Sequence, residues 1–442
     1  MVIQLSDHFD YKRLFRFTLP SVIMMVFTSI YGVVDGFFVS NFVGKTPFAA
    51  VNFIMPFLMM LGAVGFMFGT GGGAIISKTL GEGDNEKAKK IFSLFVYVTL
   101  ILSAVISLLG IIFIEPIAAL LGAEGELLEN CVVYGRINLC ALPFLMLQFE
   151  FQTYFVVAEK PKLGLFMSIL AGITNMALDA LFMAVFEWGV VGAALATAIS
   201  QFVGGIMPIV YFSRKNTSLL KLTHPEMDFR ALFKAVTNGS SELMSNISMS
   251  LVSMLYNIQL MRYAGENGIA AYGVLMYVNF VFLSIFIGYS VGVAPVVGFH
   301  FGAKNTDELK NLRKKSTNII LVCSICMFAL SLILARPLSL IFVGYDKALF
   351  SLTVRGFTMF SFAFLFAGFA IFGSSFFTAL SDGLTSAIIS FLRTLVFEIS
   401  AVMLLPVIFK VDGIWLSIVV AEVMAVVVTV IFMITKRKRY NY

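Results

Sequence analysis

Apolar runs of about twenty residues or more recur along the whole chain, and that is the length a helix needs to cross a hydrocarbon core of about 30 Å. In such a core each backbone N–H and C=O must be satisfied within its own segment, so runs of this kind fold as helices. Twelve can be marked, at about 14–40, 51–77, 91–114, 131–157, 163–186, 190–212, 232–259, 269–299, 317–335, 355–379, 385–409 and 413–435. The expectation is an all-α polytopic membrane protein with twelve transmembrane helices. Only 13% of the residues are charged, against about 25% in a soluble domain. The first apolar segment follows Lys12, Arg13 and Arg16 and is longer than a signal-peptide core, so it is expected to serve as the first spanning helix.

Twelve crossings put both termini on one side. With the N-terminus cytoplasmic, the inner loops and tails hold 23 of the 31 Lys and Arg, the bias expected of cytoplasmic loops. The prediction is therefore a multi-pass protein of the cytoplasmic (inner) membrane with both termini inside. The net charge of +6 then reflects topology and contact with anionic lipid, and implies no nucleic-acid partner. Cys131 and Cys140 stand nine apart and Cys323 and Cys326 three apart, which makes neither a disulfide framework nor a metal site.

The chain also repeats itself. An offset of 221, half of 442, brings Gly44, Gly71, Gly81, Pro116, Gly135 and Gly192 onto Gly265, Gly292, Gly302, Pro337, Gly356 and Gly413. Each half would carry six helices, and an even number makes the repeats parallel, an arrangement from which alternating-access transporters are built. The expected units are an N-terminal lobe at 1–213, a cytoplasmic connection at 214–231 and a C-terminal lobe at 232–442. Gly71 to Gly73 allow close approach of a neighbouring helix. They lack the Gly-Lys-Ser/Thr ending and preceding strand of a phosphate loop.

Polar residues inside these segments ask for a role, because a carboxylate in hydrocarbon costs several kcal/mol unless paired, hydrated or coordinating. Asp35 lies near the outer end of the first segment. In the fifth, Asn175 and Asp179 stand four apart on one helical face, and Thr197 lies in the outer part of the sixth. Together they would make a hard, oxygen-rich site suited to sodium, or to a proton shared between the acids. At offset 221 these four positions become Tyr256, Val396, Ser400 and Ile418, so the charge chemistry is expected in the first copy alone.

The stretches VDGFFVSNFVGKTPFAAVN, GGGAIISKTLGEGDNEKAKK, FVVAEKPK, NMALDALF and GVVGAALATAISQ, in this order and spacing, resemble the multidrug and toxic compound extrusion (MATE) family, in its DinF-like and MepA-like branch. The resemblance covers essentially the whole chain and implies a V-shaped, two-lobe transporter, working as a monomer, that exports cationic, often aromatic compounds in exchange for sodium or protons. It implies that Asp35, Asn175, Asp179 and Thr197 bind the coupling ion. Some relatives use acids of helices seven and ten; here helix ten, from about Arg355 to Ala379, has no internal acid.

Glu242 in the seventh segment and Glu150 in the fourth are candidates for a second protonation or substrate site. Arg393 and Glu398 stand five apart, a poor spacing for a pair, and Glu422 has no evident neighbour. Pro20, Pro56, Pro143, Pro208 and Pro295 are candidate bending points. His8, His224 and His300 lack ligand spacing. The rival function is a lipid-linked oligosaccharide or lipid-precursor flippase, which needs several cationic residues in its cleft, whereas Arg393 is the one basic residue clearly inside a segment. An enzyme is disfavoured, since no nucleophile and base pairing or histidine metal motif is present, and no cofactor beyond the coupling ion is implied.

Overall fold

The computed structural model describes residues 3–442, apart from the side chain of Lys45. Polar residues at the chain's turns start its helices. The Asp10 carboxylate accepts from the Arg13 N–H to open α1 (Tyr11–Phe38), and Asp84 does the same with Lys87 for α3 (Asn85–Leu120). Asn305, the counterpart of Asp84 at offset 221, caps α8 (Thr306–Val343) through the Glu308 N–H. Each cap satisfies one of the donors a helix start leaves unpaired. Between these lie α2 (Lys45–Gly81), α4 (Gly125–Val157), α5 (Pro161–Asp179), α6 (Gly189–Ser213) and α7 (Phe229–Gly302). After α8 come α9 (Lys347–Ser361), α10 (Phe364–Ala379), α11 (Gly383–Phe391), α12 (Glu398–Phe409), α13 (Val411–Thr435) and the short α14 (Arg437–Tyr440). The described residues form no strand.

The interruptions differ from those expected of proline. Pro20, Pro56, Pro143, Pro208 and Pro295 all sit inside continuous helices. The breaks fall instead at Gly265, where φ 64 and ψ −155 interrupt the 74 residues of α7, and between α9 and α10, which bend by 48°. A glycine tolerates that φ because it has no Cβ. The expected tenth helix is thus two pieces. Three π-helical stretches, at Val39–Val43, Ala180–Val185 and Leu392–Phe397, widen the helices they follow. Among the described residues, ten helices are long and apolar enough to cross a membrane, or eleven if the bent pair counts as one span. The protein is an all-α, multi-pass membrane protein.

The helices gather into two lobes. The first is built from α1 to α6, with aromatic packing such as Phe92, Phe151, Tyr154 and Phe212 in its core. The second is built from α7 to α13 around Tyr256, Phe282, Phe357, Phe364 and Trp415. Residues after Ser213 cross the first turns of α3, where the Thr223 N–H donates to Ser93 Oγ at 2.8 Å and Leu220 enters the first lobe's core.

The lobes meet mainly along α2 and α7, at the end of the bundle that carries the basic loops. Small residues make this contact. A Cβ at Gly81 would run into the Phe299 carbonyl and one at Gly302 into that of Lys78; the same holds for Gly71 against Ala235 and for Gly239 against Met67. Gly288 and Gly292 of α7 press on Ser21 and Thr18 of α1 in the same way. Toward the opposite end Gly32, Gly36 and Gly273 have open space where a Cβ would be. The lobes are therefore packed most closely, and sealed, at the basic end. The N-terminal segment reinforces the seal: the Leu5 N–H donates to Glu159 of the first lobe at 2.6 Å, while Glu308 of the second pairs with His8 and accepts from the Phe9 N–H.

Candidate functional site

α1 and α5 pack side by side, with α6 against α5, and Gly172 of α5 lets Phe27 and Tyr31 of α1 approach its backbone. This brings Asp35, near the end of α1, beside Asp179, the last residue of α5. Asn175 lies one turn before Asp179 on the same face, and both are buried, Asp179 completely, at 0% exposure. Thr197 of α6 is buried as well, and its hydroxyl donates to the Ala193 carbonyl at 3.1 Å, which leaves its lone pairs for another partner. The four residues named from sequence thus belong to one region of the first lobe. π-helical turns begin four residues after Asp35 and directly after Asp179; such turns recur at functional sites because the extra residue re-aims the side chains around it.

The chemistry of the cluster lies in what it lacks. Asp35 Oδ1, both carboxylate oxygens of Asp179 and Asn175 Oδ1 are buried with no hydrogen-bond partner. Among the described residues no Lys, Arg or His forms an ion pair with either carboxylate. Two neighbouring acids without a counter-charge in a low-dielectric setting cannot both stay ionised unless a cation joins them. The donor set is entirely oxygen, which fits a hard cation such as sodium, or a proton. Among the described residues no group of three or more His, Cys, Asp or Glu is placed to hold a metal.

Two tyrosines belong here that sequence reasoning missed. Tyr134 of α4 is buried with an unpartnered hydroxyl, and lies close to Thr197 and to both acids; Tyr31 of α1 lies near Asp35 and Gln148. Their one signal in sequence is a phenol within an apolar run, which is too common to single out.

Glu150 and Glu242 are elsewhere. Glu150 is fully buried in α4 beside Tyr154 and Thr99, sixteen residues and hence about 24 Å along the helix from Tyr134. Its carboxylate oxygens also lack partners, while Tyr154 Oη donates to the Phe68 carbonyl at 3.0 Å. Glu242, half-buried on α7, lies in the second lobe near Arg393.

The second lobe holds more charge than the repeat comparison led us to expect. Arg393, inside the third π stretch, grips Glu422 of α13 through Nε and Nη2 at 2.7–3.0 Å. Its partner is thus Glu422, across a helix interface, and Glu398 stands near the Tyr256 hydroxyl instead. Tyr256, which takes the place of Asp35, stacks on Tyr272 at 5.0 Å. The lobes therefore differ in kind: Glu422 has an internal cation, and the Asp35 and Asp179 pair has none.

Comparison with known proteins agrees with this architecture. The MatE family model matches twice, at residues 20–181 and 243–404. The chain is 30% identical over 320 residues to multidrug export protein MepA of Staphylococcus saprophyticus, covering 72% of this chain and 70% of that one. It is 29% identical over 319 residues to MepA of Staphylococcus haemolyticus, with the same coverage. A multidrug resistance MATE family transporter of the MOP superfamily, solved in its outward-facing conformation, superposes with a TM-score of 0.92 at 21% identity, covering 98% of this chain and 97% of that one. A MOP superfamily transporter from Pyrococcus furiosus superposes with a TM-score of 0.91 at 22% identity over 98% of both chains. At those identities the superpositions speak for the fold, and the two family matches, which together span most of the chain, speak for descent: the chain belongs to the MATE (multidrug and toxic compound extrusion) family of membrane transporters.

Proposed function

We propose that Asp35 and Asp179, assisted by Asn175, Thr197 and Tyr134, form the single ion-coupling site of this antiporter. As a member of its family the chain is a secondary active antiporter that exports organic, cationic compounds by alternating access, and it is not an enzyme. One observation carries the site assignment: two buried, adjacent carboxylates lie in the first lobe without a counter-cation, whereas buried Glu422 of the second lobe is tied to Arg393.

In the sealed-inside state an ion arriving from the open end meets this pair. A sodium ion would take oxygens from Asp35, Asp179 and Asn175; a proton would sit between the two acids. Either neutralises buried charge and removes the attraction for an organic cation. Ion entry therefore favours substrate release. The changed packing of α1 against α5 and α6 then lets the lobes part at the basic end, where the cation from the cytoplasm replaces the ion. Differential affinity of one site for two ligands in two states is all that exchange requires.

Finer features belong to the same proposal. A continuous 74-residue helix would be about 110 Å long, several times the membrane's thickness, so its break at Gly265 supports reading α7 as two crossings. With α9 and α10 as one, twelve crossings follow. Two parallel six-helix lobes, at 1–213 and 232–442, are supported by reciprocal contacts: Gly81 and Gly302 are counterparts at offset 221, as are Gly71 and Gly292. The bias of basic residues supports both termini lying in the cytoplasm, and in this reading the transporter acts as a monomer without a nucleic-acid partner. Glu150 and Glu242 are secondary protonation or substrate sites. The flippase reading loses support, because Arg393 is committed to Glu422 and not free to meet a phosphate.

The test is transport in proteoliposomes. With separate sodium and proton gradients, the native protein should move a cationic dye under one of them, and the Asp35→Asn protein should not. Dye movement undiminished in Asp35→Asn would refute the assignment.

A further inference from the structure

At the basic end of the second lobe, α8, α10 and α13 leave a cavity of about 240 Å³. Its walls are of two kinds. Phe372 of α10 and Met433 and Ile434 of α13 line one part, and Ile434 is 68% exposed, so this part opens toward the surface that hydrocarbon covers. Arg313 of α8 and Arg437, just beyond α13, line the other, with Thr317 between. Neither arginine forms an ion pair with a carboxylate among the described residues, and Arg313 Nε is buried without a hydrogen-bond partner. Next to them Lys436 is committed to Asp382 at 3.5 Å, whereas the two arginines are not committed to a carboxylate. The Arg313 guanidinium lies 5.8 Å from the ring of Tyr442, whose hydroxyl donates to the Met433 carbonyl at 3.1 Å. That fixes Arg313 between a buried ring and an empty space.

We propose that this cavity binds one anionic glycerophospholipid, its phosphate on Arg313 and Arg437 and an acyl chain along Phe372, Met433 and Ile434. The height is right for a headgroup. Arg313 is seven residues into α8, about 10 Å from its start, and Arg437 lies two residues past the end of α13. Guanidinium groups suit phosphate because their planar donors meet two oxygens at once. Two cationic groups repel the organic cations that the transporter exports, and an apolar wall facing the bilayer offers nothing to a free phosphate. The inference rests on the orientation proposed above, which puts this end at the leaflet rich in anionic lipid. It is independent of the coupling-site assignment.

The experiment is native mass spectrometry of the full-length protein, stripped of lipid in detergent and titrated with dioleoyl phosphatidylglycerol or dioleoyl phosphatidylcholine. One phosphatidylglycerol should be retained with clear preference. The preference should fall at least about tenfold in Arg313→Gln/Arg437→Gln and stay within twofold in Lys314→Gln/Lys438→Gln, which removes equal charge from exposed side chains outside the cavity. Dihexanoyl phosphatidylglycerol should bind more weakly than the dioleoyl lipid, and millimolar inorganic phosphate should not displace it. Equal retention of both headgroups, equal loss in both double variants, or displacement by phosphate would each overturn the proposal. The melting curve of each variant establishes that it is folded, and a dye-transport defect at Asp35 leaves these outcomes unchanged.

Discussion

The seal at the basic end rests on glycines, so a single methyl group should unlatch it. Gly81 of α2 and Gly302 of α7 each face the backbone of the other's helix, and a Cβ at Gly81 would stand 2.9 Å from both the Ala303 nitrogen and the Phe299 carbonyl carbon, closer still to that carbonyl's oxygen. The obstructing atoms are helical backbone and cannot swing aside. Overpacking of this kind costs about 1–3 kcal/mol, and the cost falls only on the state in which the lobes touch here. At about 2 kcal/mol, Gly81→Ala should lower the ratio of sealed to unsealed protein roughly thirtyfold. A reporter is at hand in Ser77, fully buried where Gly298 of α7 approaches it. In a background with Cys131, Cys140, Cys323 and Cys326 changed to serine, Ser77→Cys should react slowly with a maleimide applied to inside-out vesicles. Adding Gly81→Ala should raise that rate by about the same factor, and Gly302→Ala should do likewise. An unchanged rate in folded protein would refute the idea that this contact closes the cytoplasmic side.

Other consequences can be checked on the same preparations. Arg393→Met should lower thermal stability substantially, since breaking a buried ion pair leaves Glu422 uncompensated at a cost of about 3–5 kcal/mol; Arg393→Met/Glu422→Met should recover most of the loss in a detergent melting assay. Glu308→Ala removes the acceptor for the Phe9 N–H and the partner of His8, so hydrogen exchange in residues 3–10 should accelerate while the lobes stay protected. Burial pushes the pKa of Asp382 up, yet hydrogen bonds from Thr385 and Tyr440 and the charge of Lys436 outweigh it and hold its carboxyl below the ordinary 3.8. A depressed value means stabilisation that is present above about pH 4 and lost as pH falls through the folded value. Asp382→Asn should therefore melt earlier than native protein at pH 7, and the gap should narrow below pH 4.

Much of this was legible in the sequence because hydrocarbon leaves few choices. The apolar runs announced the helices, and the offset of 221 paired Gly81 with Gly302, which prove to make equivalent contacts from opposite sides of the interface. Asp35, Asn175, Asp179 and Thr197 stood out because a polar group in such a run is costly, and the fold brings them to one region. What stayed hidden depends on the third dimension. Arg393 meets Glu422, 29 residues away on another helix, which no local spacing reveals. Tyr134 joins the acids from α4, and no periodicity marks it. The break at Gly265 falls in the gap between the seventh and eighth apolar segments, whereas the prolines mark no break, because a helix tolerates proline when its neighbours satisfy the freed carbonyl.

The central claim is that Asp35 and Asp179 bind ion and substrate in competition. The most direct measurement is proton release or uptake by the purified transporter in a weakly buffered detergent solution, on adding a cationic substrate and, separately, sodium. If the two acids hold a proton, substrate should release protons from the native protein, as should sodium where it competes for the same oxygens. Asp35→Asn and Asp179→Asn should abolish the signal. If sodium rather than a proton occupies the pair, substrate should displace bound radioactive sodium with the same dependence on the two acids. A full signal in both aspartate variants, by either readout, would contradict the account.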